Sequence, residues 1–96
     1  MVGKKKQPPI KSLIAIGTEI RGDVLFTDGL RVDGQITGNL HAQPEVPSLL
    51  VISEAATVRG EVRAGHVIIN GQVLGPVWAT ELLELQPKAR ITGDVT

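Results

Sequence analysis

The residues of this chain that could do chemistry are two histidines, a recurring glycine unit and a run of three lysines. His41 and His66 are the only histidines, and there is no cysteine. Zinc and related metals require three or four converging His, Cys or carboxylate ligands. Neither histidine has a second one four residues away, so no metal site is expected. Ser12, Ser48 and Ser53 are the only serines, and none lies in the G-x-S-x-G context of a nucleophile elbow. The unit aliphatic-x-Gly-x-aliphatic occurs at 20–24, 36–40, 58–62, 73–77 and 91–95. A phosphate loop would place such glycines between a strand and a helix N-terminus. No helical pattern follows any of them, and no GxxxxGK[ST] is present. The sequence therefore predicts no catalytic residue, cofactor or metal. A net charge of +0 provides no general attraction for nucleic acid.

Two other groups could bind a partner. Lys4, Lys5 and Lys6 follow Met1 and Val2 in a segment that continues into Pro8 and Pro9. Residues 1–12 read as a basic, proline-containing tail, and three cations near an anionic leaflet contribute about 1 kcal/mol each. Ile68, Leu74 and Trp78 occupy outward positions of one repeat. A tryptophan among exposed aliphatics marks a lateral contact or partner patch.

The elements that would hold these groups follow from periodicity. From Ile14 to Ala64 the even positions carry the apolar series, among them Ile14, Ile16, Ile20, Val24, Ile36, Leu40, Leu50, Ile52, Val58 and Val62. At Gly65 the series slips to odd positions: Val67, Ile69, Val73, Val77, Leu83, Leu85, Ile91 and Val95. Period two over some 80 residues means strand after strand with one buried face. The hydrophobic content is 42%, with only Phe26 and Trp78 as aromatics, which suits a thin core of stacked aliphatics. Gly22, Gly34, Gly38, Gly60, Gly71, Gly75 and Gly93 stay in phase with the inward series. They are therefore read as corners at which an inward side chain would collide with adjoining faces. The glycines at 22, 38, 60, 75 and 93 are 16, 22, 15 and 18 residues apart. The long interval contains the insertion at 43–48. Three sides of five or six residues per turn predict an all-β, right-handed, three-sided parallel β-helix of five to six turns over residues 13–96.

A solenoid presents unpaired strand edges at its two ends unless capping elements cover them. ARITGDVT runs to the C-terminus without such an element. Stacking end to end is therefore expected, through Ile14, Ile16, Ile20 and Val24 at one end and Leu83, Leu85, Ile91 and Val95 at the other. Outward Asp23, Asp33, Glu61 and Asp94 alternate with arginines and predict cross-strand ion pairs. With no cysteine and no apolar run resembling a secretory signal or a membrane helix, the expected location is cytoplasmic.

The stretches IGTEIRGDVLFTDGLRVDGQITGNL, VRGEVRAGHVIINGQVLGPV and ELLELQPKARITGDV resemble the bactofilin family of bacterial cytoskeletal proteins. The resemblance covers roughly residues 13–96. It implies a non-enzymatic scaffold that assembles as a homopolymer without nucleotide and supports cell shape or localises cell-wall-modifying enzymes. It also implies contact of the N-terminal tail with the inner face of the cytoplasmic membrane. Two other functions fit a β-helix: a monomeric adaptor that docks a partner through Trp78, and an acyltransferase built on hexapeptide repeats. The second needs a sustained period of six and a histidine within it, and neither is present.

Overall fold

The structure, a computed structural model, describes residues 9–96. Twelve strands and no helix make up these residues. The first turn consists of β1 (Ile10–Ile14), β2 (Glu19–Arg21) and β3 (Val24–Phe26), and the second of β4 (Asp28–Val32), β5 (Gln35–Thr37) and β6 (Leu40–Ala42). The third holds β7 (Ser48–Ile52), β8 (Thr57–Arg59) and the start of β9 (Val62–Ile69). The fourth holds the rest of β9, β10 (Gln72–Leu74) and the start of β11 (Val77–Leu85). The fifth completes β11, adds β12 (Arg90–Thr92) and closes with a bridge from Val95 to Val77. β1 thus opens at Ile10, inside the segment read from sequence as tail.

Every strand pairing is parallel, and the pairings define three faces. The first stacks β1, β4, β7 and the second parts of β9 and β11. The second stacks β2, β5, β8, β10 and β12. The third stacks β3, β6 and the first parts of β9 and β11. The result is a three-sided β-solenoid of five turns, as the periodicity requires. Inward aliphatics form columns along the axis, such as Val32, Ile52 and Ile69 on the first face and Ile36, Val58 and Val73 on the second. All six are fully buried. β-Branched side chains suit this packing because their stiff χ1 loses little freedom on a pleated surface. The slip at Gly65 is a corner within β9. Ala64 and Val67 on either side are both buried, and the Gly65 amide donates to Ser48 Oγ at 2.8 Å.

The glycines fall into two sets, and the collision they avoid is axial rather than across the core. Gly22, Gly38, Gly60, Gly75 and Gly93 stack at the corner between the second and third faces, all with positive φ. A Cβ on Gly38 would lie 2.1 Å from the Gly22 carbonyl oxygen, and one on Gly60 would lie 2.0 Å from that of Gly38. Gly34 and Gly71 belong to the corner between the first and second faces. A Cβ on Gly34 would lie 2.4 Å from Thr18 O, and one on Gly71 would lie 2.2 Å from Ser53 O.

Candidate functional site

The two end turns differ from the interior in how far their inward side chains are covered. On the second face the column Ile20–Ile36–Val58–Val73–Ile91 is fully buried in its three middle members and only partly at both ends. On the third face Leu40, Val62 and Val77 are at 0% exposure, whereas Val24 is partly exposed and Val95 stands at 44%. On the first face Leu85 is 52% exposed and Leu83 partly so. Ile16, at the first corner, is 74% exposed. Ile14 is the exception among the eight expected end residues: at 8% it belongs to the core. Because one turn is only a single strand thick, its inward side chains are enclosed only when a further turn lies on each side.

The lateral group does not hold together. Ile68 lies on the first face, opposite Val51 and Glu84. Leu74 lies on the second, opposite Thr92. Trp78 lies on the third, opposite Arg63. Spacings of four to six residues carry the chain past a corner, so outward residues of one repeat point in three directions. Trp78 is 40% exposed, and the Arg63 guanidinium stacks 4.8 Å from its ring centroid. Met1, Val2, Lys4, Lys5 and Lys6 lie outside the described residues.

The charged outward residues also pair differently from expectation. Arg21 pairs with Glu19, Arg31 with Asp33 and Arg63 with Glu61, each two positions along the chain. Axial columns such as Arg21–Thr37–Arg59 hold no opposite charges to pair. Between turns, backbone amides donate to side-chain oxygens, Asn39 N to Asp23 Oδ1 at 2.9 Å and Glu61 N to Asn39 Oδ1 at 3.0 Å, and the inter-turn ion pairs use lysines, as from Lys11 to Asp28 at 3.3 Å. At Asp33 the Ser53 hydroxyl and then the Arg31 guanidinium hold the carboxyl below its usual range, outweighing partial desolvation. That hydroxyl also lies 3.2 Å from the Val32 carbonyl oxygen. His41 Nε2 is buried 3.9 Å from Glu61 Oε1. Among the described residues no three His, Asp or Glu side chains are grouped to hold a metal, and no helix is long and apolar enough to cross a membrane. The insertion loop covers a groove of about 610 Å³ against β9 and β11, lined by Val46, Ser48, Arg63, His66 and Glu81 among others.

A family model described as "Bactofilin: Polymer-forming cytoskeletal" matches residues 12–96. The chain belongs to the bactofilin family. The curated protein Bactofilin BacP of Myxococcus xanthus (strain DK1622) is 29% identical over 82 residues, which is 85% of this chain and 31% of that protein. The bactofilin chain thus spans about a third of the length of this relative. No solved structure matches it. This polymer-forming cytoskeletal family is a structural one.

Proposed function

We propose that this bactofilin is a cytoskeletal scaffold whose copies stack end to end through their terminal turns, with no nucleotide involved. The supporting observation is the burial gradient along the core columns that end at Val95 and Leu85, from 0% exposure in the middle turns to 44% and 52% at those two residues. Complete burial of an aliphatic side chain contributes about 1.5–3 kcal/mol. Covering the exposed half of Leu85, Val95 and their neighbours therefore recovers about 1 kcal/mol per residue. Backbone ladders of three short strands would continue across the same junction, because β12 and the second part of β11 each have one unpaired edge among the described residues. The assembled rods would support cell shape or localise cell-wall-modifying enzymes. The Lys4–Lys6 tail would draw them to an anionic membrane surface, where arraying many copies multiplies a weak contact.

The purified chain, examined by sedimentation and negative-stain microscopy without nucleotide, should form filaments. Val95→Arg should abolish them while leaving the β-type circular dichroism intact. A wild-type chain that stays monomeric across concentration and salt refutes the proposal. Flotation with anionic liposomes, comparing wild type with Lys4, Lys5 and Lys6 changed together to Gln, tests the membrane contact separately.

A further inference from the structure

The first face carries one outward column that runs through all five turns: Leu13, Arg31, Val51, Ile68 and Glu84. Each member lies between inward neighbours of the same strand, as Arg31 lies between buried Leu30 and Val32. Beside this column stand Ile10 and Leu82, exposed at 45% and 48%. This face therefore carries five outward aliphatics that stay at least partly exposed, beside buried Leu49, while the second has Leu74 and the third Leu25 together with Trp78.

The order within the column is self-complementary. Arg31 is on turn two, Val51 on turn three, Ile68 on turn four and Glu84 on turn five. A two-fold axis between turns three and four, parallel to the strands, exchanges turn two with turn five and turn three with turn four. We infer that the first faces of two copies pair antiparallel, with Val51 against Ile68 of the second copy and Arg31 against its Glu84. The two central contacts are aliphatic, and the ion pair forms twice by symmetry, as an isologous interface requires. A parallel in-register pairing would instead oppose Arg31 to Arg31 and Glu84 to Glu84, which like-charge repulsion disfavours. Arg31 already donates from Nε to Asp33 at 3.0 Å, but a guanidinium has five donors and accommodates a second carboxylate.

The face measures about 24 Å along the axis and 16 Å across, from strand spacing and rise. A footprint near 400 Å² per copy is about half that of a stable standard interface. The pair is therefore weak between single copies and gains strength where copies are arrayed. It uses a different surface from the proposed end junction and does not depend on it.

The test is sedimentation equilibrium of the Val95→Arg chain, whose substitution lies on the third face, loaded to about 1 mM. A concentration-dependent monomer–dimer equilibrium is expected. Arg31→Glu and Glu84→Arg should each weaken it by about tenfold or more, since each places two like-charge contacts in the interface. The double variant should restore it, which a merely structural effect of either change would not do. Circular dichroism confirms that each variant is folded. A monomer at every concentration overturns the inference, and so does a dimer indifferent to these charge reversals. In the wild type, loss of end stacking would remove filaments but leave this dimer, whereas loss of face pairing would leave single filaments.

Discussion

The stacked glycines permit a controlled comparison, because Gly60 and Gly22 share a motif and a corner but not a neighbour. A Cβ on Gly60 would lie 2.0 Å from the Gly38 carbonyl oxygen, and both atoms belong to backbone. Restoring a 3.0 Å contact requires turns two and three to part by about 1 Å at this corner, beyond hydrogen-bonding range. Two bonds join those turns there, Gly38 N to Arg59 O at 3.0 Å and Leu40 N to Glu61 O at 2.8 Å. Leaving such groups unpaired costs about 1–3 kcal/mol each, and the positive φ adds about 1–2 kcal/mol for any residue with a Cβ. Gly60→Ala should therefore destabilise the fold by about 3–8 kcal/mol. Gly22 has φ +138 but nothing within 4 Å of its Cβ position, so Gly22→Ala should cost only about 1–2 kcal/mol. A domain of this length has roughly 5–14 kcal/mol in total, so the difference is large and measurable. Urea unfolding followed by circular dichroism, in the Val95→Arg background to uncouple unfolding from assembly, gives both values. If the two substitutions cost the same to within about 1 kcal/mol, the argument from axial stacking is wrong and backbone conformation alone selects glycine.

The other predictions concern assembly, pH and the surface. A methyl on Gly22 points out of the first turn, away from Gly38, so wild-type chain carrying Gly22→Ala should stay folded but assemble at a higher critical concentration, read by pelleting. The carboxyl of Asp33 is held below its usual value of 3.8 by Ser53 and Arg31. A depressed folded pKa contributes stability that is complete above the unfolded value and lost as pH falls through the folded one. Between pH 6 and pH 3 the wild type should therefore lose more stability than Asp33→Asn, in urea midpoints taken at both pH values. Trp78→Ala removes a surface stack worth about 0.5–1 kcal/mol; the melting temperature should fall only slightly and pelleting should be unchanged.

Period two made the fold legible because every turn reuses the same inside-outside pattern, and glycine spacing then gave the number of sides. Neither signal says which face an outward residue occupies. Ile68, Leu74 and Trp78 alternate correctly, yet they belong to three faces because a corner separates each from the next. The column Leu13–Arg31–Val51–Ile68–Glu84 is invisible for the complementary reason. Its members are 18, 20, 17 and 16 residues apart, and no fixed period relates them; only strand register does. The same holds for the ion pairs, since alternation of charge along the chain gives neighbours two residues apart, as at Arg31 and Asp33, and says nothing of what lies on the next turn.

The repeated stretches VDGQITG and INGQVLG are 37 residues apart, which is two turns rather than one. At the corner between the first and second faces, four-residue bends at 15–18, 53–56 and 86–89 are each closed by a hydrogen bond, as from Thr18 N to Ala15 O at 3.0 Å. The two-residue corners Asp33-Gly34 and Asn70-Gly71 alternate with them. Each short corner nests against the bend before it, and its glycine leaves room for that bend's carbonyl groups. The recess lets successive wide bends touch, and Lys88 Nζ reaches Glu54 Oε2 at 2.7 Å across Asn70. Both end turns carry a wide bend. If the proposed junction places end turn against end turn, two wide bends meet there with no short corner between them. The alternation is then broken at that edge, and close approach is left to the glycine corner, where Gly22 and Gly93 present backbone without a Cβ. A methyl on Gly22 should therefore disturb the junction more than a comparable change at Ile16 or Pro87, although both of those residues lie at the same ends.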